Sequence, residues 1–138
     1  LRFISAAMKM VTDMERIGDQ AADISEITLL LAKEPYIKEL SNIKKMAVET
    51  TDMVMKSIEA YIENNSKKAR DVIAQDDVVD ALFQDTKTEL ITLINENIEN
   101  GEQAADFLMI AKYFERIGDH ATNIAEWVIF SIEGEMVM

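Results

Sequence analysis

The chain has 138 residues, 49% hydrophobic and 29% charged, enough apolar material for one compact domain. Fourteen Lys plus Arg against twenty-six Asp plus Glu give a formal net charge of −12, so phosphate backbones and anionic membrane surfaces are repelled and nucleic acid is excluded as an expected partner. The longest apolar stretch, around Ile27 to Ala32, is far short of the roughly 20 residues that span a bilayer, and the absence of cysteine removes disulfides, thiolate metal sites and thiol catalysis and fits a reducing compartment.

One Pro and four Gly leave few breaks, so the elements between them are long. Ala, Leu, Met, Glu and Lys abound, apolar residues recur at three and four, and period-two alternation is missing. These features predict an all-α fold. The breaks give four helices: Leu1 to about Lys33, Pro35 to about Asn64, Ser66 to about Asn100, and Glu102 to about Glu133. Pro35 suits a first helical turn. Ser66 is expected as an N-cap, and Asn100–Gly101 as a C-terminal stop with a left-handed residue. Connections this short imply an antiparallel bundle.

The chain also repeats itself. Glu15 to Glu26 reads ERIGDQAADISE and Glu115 to Glu126 reads ERIGDHATNIAE, identical at 8 of 12 positions with an offset of 100. A period of that size suits a three-helix unit. The second copy lies on the last of three consecutive helices, so the first is expected to close a similar unit whose opening helices are absent. The sequence, which opens at Leu1 within a periodic helix, reads as a fragment. Residues 1–33 form the closing helix of a truncated first repeat and 35–138 a complete second one. The first helix is expected to cover an open seam of the other three, within one chain or by exchange between two.

On the fourth helix Phe107, Ile110, Phe114, Ile117, Ala121, Ile124 and Val128 form an apolar seam. At about 100° per residue, Glu115, Asp119, Asn123 and Glu126 fall roughly opposite it. The first helix repeats this, with Ile4, Val11, Met14, Ile17, Ala21, Ile24 and Thr28 as seam and Glu15, Asp19, Asp23 and Glu26 behind. Acids spaced i, i+4 stack about 5–6 Å apart and repel by a few tenths of a kcal/mol per pair. Such a row is either a solvated polar face or a line of oxygen ligands awaiting a cation, and its recurrence in both copies puts the two readings on an equal footing. On the third helix Val72, Ile73, Val79, Phe83, Leu90 and Ile94 face inward. Asp76 lies near the middle of that face, Asp80 near its edge and Asp77 farther out. A buried Asp76 needs a Lys or Arg, a helix-end donor, a metal, or an opening in the bundle. Gly18 and Gly118 mark close helix approach or room for a ligand. Arg16 and Arg116 pair on the surface, neutralise the acid rows or reach a partner, and His120, the sole histidine, is a structural residue or a ligand.

The doubled ERIGD followed by Asp23 or Asn123, together with NIAEWVIFSIEGE from Asn123 to Glu135 and AQDDVVDALF on the third helix, resembles the PhoU family. The resemblance implies a tandem of three-helix bundles that is no enzyme, often forms a homodimer, and binds multinuclear iron or zinc clusters on its surface through E/D-x-x-x-D motifs. Carried over by position, Glu115, Asp119 and Asn123 match one motif, Asp76 and Asp80 another, and Glu15, Asp19 and Asp23 the first-repeat motif, which lacks its acidic partner helix here. An oxygen-rich, thiol-free ligand set favours iron, manganese or magnesium over tetrahedral zinc.

The family implies negative regulation of phosphate uptake and of the phosphate-starvation two-component response from the cytoplasm, through contacts with the transporter ATPase and the sensor histidine kinase. Two other readings are the PhoU-like cytoplasmic tail of a sodium–phosphate cotransporter and a ferritin-like di-iron carboxylate enzyme. The enzyme needs paired Glu-x-x-His motifs pointing into the bundle, which a single His cannot supply.

Overall fold

The computed structural model describes residues 1–37 and 40–134. Four helices, α1 (Arg2–Leu31), α2 (Ser41–Glu63), α3 (Ser66–Glu96) and α4 (Gly101–Glu133), are joined by short links, the last containing one 3-10 turn, Ile98–Asn100. No strand occurs among the described residues, so the fold is all-α, as the periodicity predicts.

Local chemistry sets the helix ends, at places that differ from the sequence expectation. The turn after α2 uses Asn64 in the left-handed region (φ 52°), and the cap of α3 is Asn65, whose side chain accepts the Lys68 N–H at 3.0 Å. The cap thus sits one residue before Ser66. Gly101 is right-handed (φ −58°) and opens α4. The break before it comes from extended Asn97, whose side chain accepts the Glu99 N–H. Pro35 starts no helix: Gln103 donates to its carbonyl at 3.1 Å and accepts from the Ile37 N–H. These bonds tie the link to α4, and α2 begins at Ser41.

α2, α3 and α4 pack pairwise into a three-helix bundle. Its centre is filled by Met46 and Met53 of α2, Val72 and Val79 of α3, and Ile124 and Val128 of α4, all shielded from solvent. A second cluster, with Leu40, Leu90, Leu93, Phe107 and Ile110, closes one end and includes Leu31 of α1. Burying each large aliphatic side chain contributes about 1.5–3 kcal/mol.

α1 makes its helix contact with α4 alone. Arg2 donates to the carbonyl of Ser131 at 3.2 Å, Asp13 meets His120 midway, and Leu31 shares a cavity with Glu102 and Gln103 at the far end. The two copies of the repeat therefore run antiparallel, side by side. The expectation that α1 covers a seam of the other three helices is met only in part: Met10 joins the central cluster, and Ile17, Ala21 and Ile24 face Thr50, Val54 and Met55 of α2 across an apolar cavity, but the helix-to-helix contact is with α4.

The proposed seams fare differently. On α4 all seven residues are buried or half-buried, whereas on α1 Ile4, Val11 and Met14 remain 64%, 53% and 37% exposed. α1 buries Ala6, Met10 and Leu31 instead. On α3 the inward set is right except for Ile94, which is exposed at the edge of the packing.

Candidate metal centre

Two helices bring the acids together. α3 carries Asp76 and Asp80 one turn apart, and α4 carries Glu115 and Asp119 one turn apart. The helices approach closely because Gly118 is buried between them: a Cβ there would stand 3.3 Å from Asp76 Oδ1 and 3.6 Å from Val79 Cγ1. Close approach and room for a polar group, offered as alternatives by the sequence, are one feature at this position. Gly18, its counterpart on α1, faces open space.

One oxygen from each of Asp76, Asp80 and Asp119 lies within 4.8 Å of the others, the one three-carboxylate group of this kind among the described residues. Asp80 and Asp119 are exposed and Asp76 is half-buried beneath them. Asp76 Oδ1 is shut off from water and accepts no hydrogen bond. Burial pushes the Asp76 carboxyl up to about 6, with further repulsion from Asp80 and then Asp119. Burial also raises Asp80 and Asp119, each then lifted by Glu115. A buried carboxylate without donors is costly unless something compensates it, and among the described residues no Lys or Arg forms an ion pair with Asp76, Asp80 or Asp119.

The row on α4 points away from the packing only in part: Asp119 and Asn123 are exposed, whereas Glu115 and Glu126 are half-buried. Glu115 is turned into the rim of the α3–α4 contact, its side chain only 14% exposed, and accepts from Lys112 Nζ at 2.7 Å. The Lys112 ammonium also lies 5.2 Å from the centre of the Phe83 ring. The row lies nearly opposite the seam at about 100° per residue, but Ala111, Gly118, Ala125 and Ile129 are buried as well, so the packed face of α4 is wider than the seam and reaches the edge of the row. Asn123 donates to Asp13 Oδ1 of α1 at 3.3 Å. Glu126 is half-buried, its carboxyl raised by burial and then by Asp13.

Of the first-copy residues, Glu15 and Asp19 are exposed and Asp23 is half-buried, and they belong to no three-carboxylate group. The sequence reading overlooked Asp13. Its carboxylate lies 3.0 Å from His120 Nδ1, with side chains 13% and 23% exposed, and joins α1 to α4. The repeat hid it, since the second copy has Tyr113 at that position; the available signal was an acid on the buried flank of a helix. The Arg116 guanidinium packs over the Tyr113 ring at 5.7 Å.

The residues fit a hard cation. Three convergent carboxylates, one with a buried oxygen lacking a donor, supply the ligand type such ions take, and Glu115 stands at the rim as a fourth.

The model of the PhoU domain matches residues 1–28 and 43–128. Two proteins with the name phosphate-specific transport system accessory protein PhoU homolog are similar along the chain: that of Clostridium acetobutylicum is 38% identical over 99% of this chain and 63% of its own length, and that of Aquifex aeolicus 40% identical over 99% and 62%. The crystal structure of PhoU from Pseudomonas aeruginosa superposes with a TM-score of 0.94 at 29% identity, covering 98% of this chain and 65% of that one. A second PhoU crystal structure, the phosphate transport system regulatory protein of Streptococcus pneumoniae, gives 0.90 at 28% identity over 100% and 65%. The chain thus spans somewhat under two thirds of the length of these relatives. The doubled ERIGD helices, the three-helix bundle and these matches along nearly the whole sequence lead to one assignment: the chain belongs to the PhoU family.

Proposed function

We propose that this chain is the metal-carrying part of a non-catalytic adaptor that restrains phosphate uptake and the phosphate-starvation response. It does so by docking on the ATPase of the phosphate transporter and on a sensor histidine kinase. The observation that carries the reading is the 38–40% identity over 99% of the chain to proteins named as accessory proteins of phosphate-specific transport. No described helix is long and apolar enough to cross a membrane.

Asp76, Asp80 and Asp119 would hold the metal, with Glu115 as a rim ligand. A bound ion supplies the positive charge that these carboxylates lack. Asp76 anchors from α3 and Asp119 from α4, so occupancy ties the two helices together and fixes the surface their outer residues present. Asn123, turned toward Asp13, and the first-copy Glu15, Asp19 and Asp23 take no part in this centre.

The test is a pull-down of the transporter ATPase by the tagged chain, with a full-length PhoU relative as positive control. Co-elution with both supports the adaptor reading. ATPase captured by the full-length relative and not by this chain contradicts it for this chain.

A further inference from the structure

Four acidic side chains converge where α3 meets α4, and a lysine pairs with one of them, Glu115. Lys112 Nζ pairs with Glu115 at 2.7 Å while its side chain stays 43% exposed. The ammonium is also fixed above the Phe83 ring, at 5.2 Å, a distance at which the ring quadrupole attracts it. Its charge lowers the carboxyls of Asp80 and Asp119 against the larger effects that raise them. The pair also keeps Glu115 engaged, one turn before Asp119. The first copy offers an internal comparison: Thr12 occupies the corresponding position, its hydroxyl turned back on the Met8 carbonyl, so Glu15 has no lysine one turn before it.

We propose that Lys112 is the resident counter-cation of Glu115 at the rim of this centre, and that a metal ion drawing Glu115 in as a ligand beside Asp76, Asp80 and Asp119 displaces that pair. The inference rests on the metal-binding reading above and adds its regulation. Lys112 stabilises the empty centre and sets a threshold for filling it. On filling, Glu115 becomes available as a rim ligand and the ammonium is released to the surface beside the centre. A metal signal thereby changes the charge displayed along α4. A half-exposed ion pair is worth up to about 1 kcal/mol, close to a five-fold change in an equilibrium constant.

The experiment is a titration with Mn(II), free ion read by electron paramagnetic resonance, on the wild-type chain, Lys112→Met and Lys112→Arg, each melted in parallel with chelator and with Mn(II). Methionine keeps an apolar stem on Phe83 and deletes the charge; arginine retains the charge. Expected for Lys112→Met are Mn(II) binding about five-fold tighter and a lower melting temperature in chelator, with Lys112→Arg close to wild type. A purely structural lysine would lower both melting curves without tightening binding. Equal or weaker Mn(II) binding by Lys112→Met overturns this inference alone, whereas a wild-type chain that binds no Mn(II) overturns the metal reading and the inference with it.

Discussion

Asp76 and Gly118 are matched across the α3–α4 contact: the carboxylate Oδ1 occupies the space that a Cβ on the glycine would approach to 3.3 Å. The same glycine one repeat earlier, Gly18, meets nothing within 4 Å. Identical residues in two copies of one motif therefore face different demands.

The two glycines should respond differently to alanine. Gly18→Ala is expected to stabilise the chain by about 0.5–1 kcal/mol, the helix-propensity gain at an unobstructed site. Gly118→Ala should gain little or lose stability, because the new methyl must push Asp76 aside. Urea denaturation of both variants checks this, and an equal gain in both would show that Asp76 moves freely.

Asp76 dictates a pH dependence. Its folded-state value of about 6 lies above the ordinary 3.8, so between those values the folded chain holds the proton that the unfolded chain has released. Stability from this group is greatest at low pH and is lost as pH rises through about 6. Asp80 and Asp119, raised likewise, act in the same direction. In chelator-treated protein Asp76→Asn is expected to stabilise at pH 7 by about 1–2 kcal/mol, allowing for solvent screening, and to have little effect at pH 4. Melting curves at both pH values test this; destabilisation at pH 7 would mean that the carboxylate has a partner in the folded chain.

The contact between Asp13 and His120 joins the two repeats. Both side chains are largely buried and Asn123 shares the same carboxylate oxygen, so removing Asp13 leaves the part-buried His120 imidazole without this partner. A double-mutant cycle of Asp13→Ala and His120→Ala, followed by denaturation, should give a coupling of about 0.5–1.5 kcal/mol. Additive effects would place the α1–α4 attachment elsewhere, in the apolar contacts of Met10 and Leu31.

Much of this molecule could be read before its coordinates. The number and type of helices, the α4 seam and the inward position of Asp76 follow from spacing, because period 3.6 relates each side chain to its own helix. Spacing does not say which neighbour occupies the adjacent flank. Spacing therefore puts the whole α4 row in solvent, although Glu115 and Glu126 are half-buried, and predicts a covered α1 seam, although Ile4, Val11 and Met14 stay exposed. Asp13 escaped for the same reason: its role depends on the register between α1 and α4, and no single helix encodes that register.

Elemental analysis of protein purified without chelator tests the central claim most directly, comparing the wild type with an Asp76→Asn, Asp119→Asn double variant and an Asp19→Asn control. The account predicts a metal in the wild type and the control that is lost from the double variant. Equal metal content in all three, or none in the wild type, would contradict it.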